Sequence, residues 1–220
     1  MAGRANRAAM LTPGEKGVAM PPKLVAFVGS PRPGGNTDTL ADAALSAFAQ
    51  AGGEAEKVIL NSLSIRPCQG CLACMRGDGL EDFCAVRDDM QGLHRKLLEA
   101  DALLWATPVY MWSPSAQMKT FLDRLFPFGD YQKTRWRAAL AGKPVGLAIV
   151  YADPDPLTSG VVQTRDVLRA VVEASGGRVA FVVHTAADQR GDVARNAAVL
   201  ERMRAAASAL FAACTPAEPD

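Results

Sequence analysis

Residues 23–40 read KLVAFVGSPRPGGNTDTL, and this stretch decides the fold. Its first part, Lys23 to Gly29, is a continuous apolar run ended by glycine, the pattern of a strand buried on both faces. Its second part gathers Gly34, Gly35 and the polar Ser30, Asn36, Thr37 and Thr39 into a turn that enters a helix. The apolar stripe of that helix runs through Leu40, Ala44, Ala47, Phe48 and Ala51. Strand, glycine-bearing turn and helix in that order aim backbone N–H groups and a helix N-terminus at one spot, which suits an anion. Arg32 adds charge there. The turn is not a triphosphate loop, because Gly35-Asn36 stands where Lys-Ser/Thr is needed, and no G-x-G-x-x-G dinucleotide turn follows the strand. A terminal monophosphate fits better than a pyrophosphate. The bland alternative is an ordinary β–α turn with a capping Asn or Thr.

Outward from this unit the same alternation repeats. Further strands are expected at Val58 to Leu60, Ala102 to Thr107 (stopped by Pro108), Pro144 to Val150 and Arg178 to Val183. Helical stripes fall between and after them: Met90, Leu93 and Leu97; Met118, Phe121 and Leu122; Val161, Leu168 and Val172; Val199, Met203 and Leu210. Apolar strands without polar alternation need helices on both faces of a parallel sheet. Five of them, joined by right-handed crossovers, predict an α/β, flavodoxin-like, doubly wound sheet of order 2-1-3-4-5. A ligand crevice then opens at the carboxyl ends of strands one and three, beside the loops after Gly29 and Thr107.

The loop after Thr107 runs Pro108-Val-Tyr-Met-Trp112. Its aromatic and apolar side chains are what a flat, partly apolar ring requires, although each alone could be packing or interface. A third loop carries Cys68, Cys71 and Cys74 in tandem C-x₂-C spacing, with Cys84 nine residues on. Three thiols so close cannot all pair as disulfides. A [4Fe–4S] cluster takes one thiolate per iron and suits this spacing. Zinc is chemically possible, though structural zinc sites usually separate two cysteine pairs by a longer span.

The chain has 220 residues, is 49% hydrophobic and carries a formal net charge of +1, so nothing points to nucleic acid or an anionic membrane. No apolar run spans a bilayer and no segment has the apolar core of a secretion signal. The chain therefore reads as cytoplasmic, with its five cysteines as thiols or ligands. Residues 1–20 lack periodicity and read as a disordered extension. Residues 21–214 read as one flavodoxin-like domain with an inserted cysteine loop at 67–87, and 215–220 as a tail. His94 reads as a solvated helix residue, His184 as a weak ligand candidate, Cys214 as a plain thiol, and Arg190-Gly-Asp192 as a loop into the last helix.

Taken together, Gly29-Ser-Pro-Arg32 with Asn36-Thr37, Pro108-Val-Tyr110 followed by Ser115-Ala-Gln-Met-Lys119, Phe121-Leu-Asp-Arg124 and the cysteine loop resemble the NADPH-dependent FMN reductase family. Within it they are most similar to the iron–sulfur flavoproteins, whose pattern Asp82-Phe-Cys84 and Asp88-Asp89-Met90 match. The resemblance implies FMN with its phosphate on Ser30, Arg32, Asn36 and Thr37. It implies a flavin ring against Pro108, Val109, Tyr110 and Met111, with Trp112 at the ring edge. The loop Tyr151-Ala-Asp153 would close over the ring, though Asp153-Pro-Asp-Pro156 replaces the glycine-rich stretch usual there. It favours Cys68, Cys71, Cys74 and Cys84 as cluster ligands, while other relatives keep such cysteines without a cluster, and the gap before Cys84 is longer than usual. Three functions follow from it. The first is an NAD(P)H-dependent oxidoreductase that reduces a quinone or other small acceptor, with no catalytic side chain. The second is an electron carrier fed by a ferredoxin-like donor. The third is a non-catalytic redox sensor. A homodimer or homotetramer is implied as well.

Overall fold

The apolar run at Lys23–Val28 forms β1, fully buried after its first residue, in a computed structural model that describes residues 20–75, 84–129 and 138–215. Helix α1 (Asn36–Gln50) follows, then β2 (Glu54–Ile59), α2 (Met90–Glu99) and β3 (Ala102–Tyr110). Next come the two-residue β4 (Ser113–Pro114), α3 (Ala116–Asp123), β5 (Pro144–Tyr151) and α4 (Val161–Ala174). Strand β6 (Arg178–Ala186), the single turn α5 (Asp192–Arg195) and α6 (Ala197–Cys214) complete the described chain.

The sheet order is β2-β1-β3-β5-β6, all parallel, with β4 folding back antiparallel on the end of β3. Leaving out that two-residue strand, this is the expected flavodoxin-like 2-1-3-4-5. Alternation along the strands divides the core. Val25, Phe27, Leu103, Trp105, Leu147 and Ile149 face α2, α3 and α4, whereas Leu24, Ala26, Val28, Leu104, Ala106 and Ala148 face α1 and α6. Among the described residues no helix is long and apolar enough to cross a membrane.

The structure corrects three element boundaries. β2 begins at Glu54, four residues before the expected start, because an edge strand tolerates charge. Glu56 pairs there with Lys23 and Lys96, and Lys57 with Asp38 and Asp42. β3 continues through Pro108 to Tyr110, since pairing with β1 ends at Ala106 and the proline ring meets no ladder on that side. β6 runs to Ala186, three residues beyond the expected end.

His94 is also corrected: it is completely buried, not solvated. Its Nε2–H donates to the Arg124 carbonyl at 2.7 Å, and its ring lies edge-on to Phe128. A carbonyl only accepts, so Nε2 carries the proton in the neutral ring. Lys143, likewise buried, donates to the carbonyls of Leu97, Leu98 and Ala100 and closes the end of α2; burial pushes its ammonium down to about 8.

Candidate functional site

At the carboxyl edge of the sheet the turn after β1 is fixed by one serine. Ser115 caps α3 by accepting from Met118 N–H, and its Oγ–H donates to the Gly29 carbonyl at 2.6 Å. Its own N–H donates to Thr107 Oγ1. Gly29 must be glycine, because a Cβ would stand 2.8 Å from both Met118 Cβ and Ser115 Oγ. The loops after β1 and β3 are thereby held together through a buried hydroxyl.

Between these loops lies a cleft of about 440 Å³, within the range of small-molecule sites. Ser30, Arg32, Asn36 and Thr37 line one end. Pro108, Val109 and Tyr110 line it from the end of β3, and Val150, Tyr151 and Ala152 from the end of β5. Helix α1 begins here without a side-chain cap. Thr37 is buried, and among the described residues its hydroxyl and the Arg32 guanidinium make no hydrogen bond or ion pair. The acid in the first turn, Asp38, accepts from Gly34 N–H and pairs with Lys57. Burial works against the Lys57 charge, but Asp38 and Asp42 hold it above its ordinary range.

Asn36, expected as a phosphate donor, has its side-chain amide already spent. Nδ2 donates to the Ala187 and Gln189 carbonyls, and Oδ1 accepts from the N–H groups of Gly191 and Val193. Met111, Trp112 and Asp153 are not among the residues lining the cleft. Met111 and Trp112 form the two-residue turn joining β3 to β4, with φ of 46° and 58° and side chains 84% and 58% exposed. Two successive positive φ values are the type I′ pattern, normally Asn-Gly, and cost about 1–2 kcal/mol per ordinary residue. Trp112 Nε1–H donates to the Thr158 carbonyl. Asp153 closes its own turn by accepting from Asp155 N–H and Thr158 Oγ1, which holds its carboxyl below the usual range.

The cleft also contains residues unassigned from sequence: Ala187, Asp188 and Arg190, on the loop after β6. Proximity of that loop to the crevice follows from sheet order, but Arg190-Gly-Asp192 carries no motif to mark it. His184 packs its ring on Tyr151, with the Tyr151 hydroxyl 3.2 Å from Nδ1, and does not line the cleft.

A second cavity, about 160 Å³ and apolar, is lined by Cys68, Cys71, Cys74 and Cys84 together with Leu72, Val86 and Phe126. Cys84 is buried, Cys74 half-buried, Cys68 and Cys71 exposed. Burial, then the neighbouring thiols, push the Cys74 thiol up. Residues 76–83, with Gly77, Asp78 and Gly79 and the Asp82-Phe83 pair, lie outside the described residues, as do 1–19 and 216–220.

Both flanks of this segment are stapled to the domain. Buried Arg124 donates to the carbonyls of Arg66 and Val86 and to both oxygens of Asp88, within hydrogen-bonding reach of the Cys84 sulfur. Burial alone would raise the Asp88 carboxyl, but Arg124 and the N–H groups of Arg66 and Met90 hold it below the usual range. Gln91 bonds the Cys84 and Val86 carbonyls. Among the described residues no three Cys, His, Asp or Glu side chains come close enough to share one metal ion. A cubane spreads its thiolates around a larger body, and four thiols around one apolar cavity match that donor set.

Comparison with known proteins identifies the family and the fold. An iron-sulfur flavoprotein of Archaeoglobus fulgidus is 43% identical over 131 residues, 59% of this chain and 54% of that protein. Iron-sulfur flavoprotein MJ1083 of Methanocaldococcus jannaschii is 39% identical over 105 residues, 48% and 52% of the two chains. The chain spans about half the length of these curated relatives. Among solved structures, an NAD(P)H:quinone oxidoreductase from Methanothermobacter marburgensis superposes with a TM-score of 0.66 at 18% identity, covering 86% of this chain and 96% of that one. The apo form of the NADH:FMN oxidoreductase EmoB gives 0.60 at 24%, covering 90% and 91%. These two likenesses speak to the fold. The profile of the NADPH-dependent FMN reductases matches residues 22–188, most of the chain and all of the β1 and β3 loops, and the protein belongs to that family of flavin-dependent oxidoreductases.

Proposed function

We propose that this chain binds FMN in the cleft between the β1 and β3 loops and moves electrons from NAD(P)H to a quinone or another small acceptor. The observation that carries the reading is a cleft with unspent anion donors at one end and an aromatic-apolar wall beside it. Ser30, Thr37, Arg32 and the uncapped start of α1 would hold the phosphate. Pro108, Val109 and Tyr110, facing Val150 to Ala152, would bound the ring and limit water around it. When bound, FMN supplies the exchange of electrons in pairs or singly. The protein's part is to position it; no side chain in the cleft is asked to act as a general base.

The four cysteines favour a second reading of the same protein, as an electron carrier fed by a ferredoxin-like donor. Their cavity suits a [4Fe–4S] cluster, and Cys68 and Cys71 are exposed, so a donor could approach that side. Anaerobically purified protein should show flavin absorption, and about four irons per chain if the cluster is present. Rapid NAD(P)H oxidation with an added quinone supports the first reading. Negligible NAD(P)H turnover with fast reduction by a reduced ferredoxin supports the second. Protein that neither retains nor rebinds FMN refutes both.

A further inference from the structure

We infer that Arg190 is a second cation of the phosphate end of the cleft, and that Asn36 is the residue that positions it. The inference rests on the proposed FMN site and adds to it a residue beyond the segment matched by the family.

Arg190 follows β6 and lines the cleft together with Ser30, Arg32 and Thr37. Its Nη2–H donates to the Pro33 carbonyl at 2.7 Å, and a Cβ on Gly34 would stand 3.2 Å from that nitrogen. The side chain therefore reaches across the β1 turn. A guanidinium has five N–H donors, so a bond to Pro33 leaves the rest of the fork for an oxygen in the cleft. Among the described residues neither Arg32 nor Arg190 has a carboxylate partner. The acids around them are engaged elsewhere: Asp38 with Lys57, Asp192 with Arg195 and Gln189 N–H, and Asp188 with the Gln189 amide. Two unpaired guanidinium groups at one end of a cleft repel each other, and a phosphate between them satisfies both.

The Asn36 amide makes its four bonds to residues 187, 189, 191 and 193, on both sides of Arg190. Asn36 is also the first residue of α1. One side chain thus fastens the loop that carries Arg190 to the helix end that would meet the phosphate. With both amide hydrogens and the oxygen occupied, Asn36 acts through Arg190 and not on the anion directly.

Flavin-free protein would be titrated with FMN and with riboflavin, which lacks the phosphate, at low and high salt. Arg190→Gln should weaken FMN about tenfold to a hundredfold, the range of one charge-assisted contact, leave riboflavin nearly unchanged, and flatten the salt dependence. Arg190→Lys should recover part of the loss, keeping the charge but not the planar fork. Asn36→Ala should weaken FMN by no more than Arg190→Gln does, and the double variant should bind FMN as Arg190→Gln does alone. A wild type that binds FMN no better than riboflavin would remove the phosphate-site reading itself. A wild type that prefers FMN, with Arg190→Gln preserving that preference, overturns the inference alone. Full additivity in the double variant overturns the positioning role of Asn36.

Discussion

Lowering the pH from 7 to 4 should destabilise this protein through His94, one of only two histidines in the chain. The ring is completely buried under Phe128, and burial pushes its pKa from 6.5 down to about 4; the carbonyl of Arg124 and the Asp88 charge oppose that shift without cancelling it. In the unfolded chain the imidazole takes up a proton near pH 6.5, so between 6.5 and 4 the unfolded state binds more protons than the fold. Stability therefore rises with pH through that window and is lost as pH falls. A difference of two and a half pH units at 1.36 kcal/mol each amounts to about 3 kcal/mol, most of it gone by pH 4. The comparison is urea unfolding of wild type and His94→Gln at pH 7, 6, 5 and 4. Gln can donate to the Arg124 carbonyl without titrating. His184, also lowered by burial and by Arg202 and Arg165, is common to both proteins and drops out of the difference. Wild type should lose about 3 kcal/mol more than the variant on acidification. Parallel curves would refute the assignment.

Gly29→Ala should lower stability by about 1–3 kcal/mol, because the new methyl meets Met118 Cβ and Ser115 Oγ at 2.8 Å. Flavin retention should fall with it, and an unchanged urea midpoint would show that the two loops separate freely. Trp112→Gly should cost little stability, since relief of about 1–2 kcal/mol of left-handed strain offsets the lost bond to Thr158.

What was legible in the sequence followed from strict local patterns. The apolar runs of β1, β3 and β5 must be buried on both faces, and their order with the helical stripes leaves few parallel topologies. The glycine-bearing turn after β1 brings Ser30, Arg32 and Thr37 to the cleft, as residue types that act locally suggested. What was not legible depended on partners distant in the chain. The first four of the six residues of β2 are Glu-Ala-Glu-Lys, which read as loop until Lys23, Lys96, Asp38 and Asp42 are beside them. Pro108 reads as a strand end unless it is known that β1 has already left the ladder. His94 reads as solvated, because the carbonyl and ring that cover it come from residues 124 and 128. Asn36 carries an amide suited to a phosphate, and only the return of the chain after β6 shows that its donors are taken.

The hydroxyl of Ser115 has a kinetic meaning. Through the carbonyl of Gly29 it ties the β1 loop to the start of α3 behind the β3 loop, the two loops that wall the cleft, and it is wholly buried. The spacing of those walls is consequently a property of the hydrophobic core, established when the chain folds and not when a flavin arrives. A ligand entering such a gap bears little ordering cost from the walls themselves. Association should then be a single encounter whose observed rate climbs in proportion to flavin concentration, with no plateau from slow reshaping.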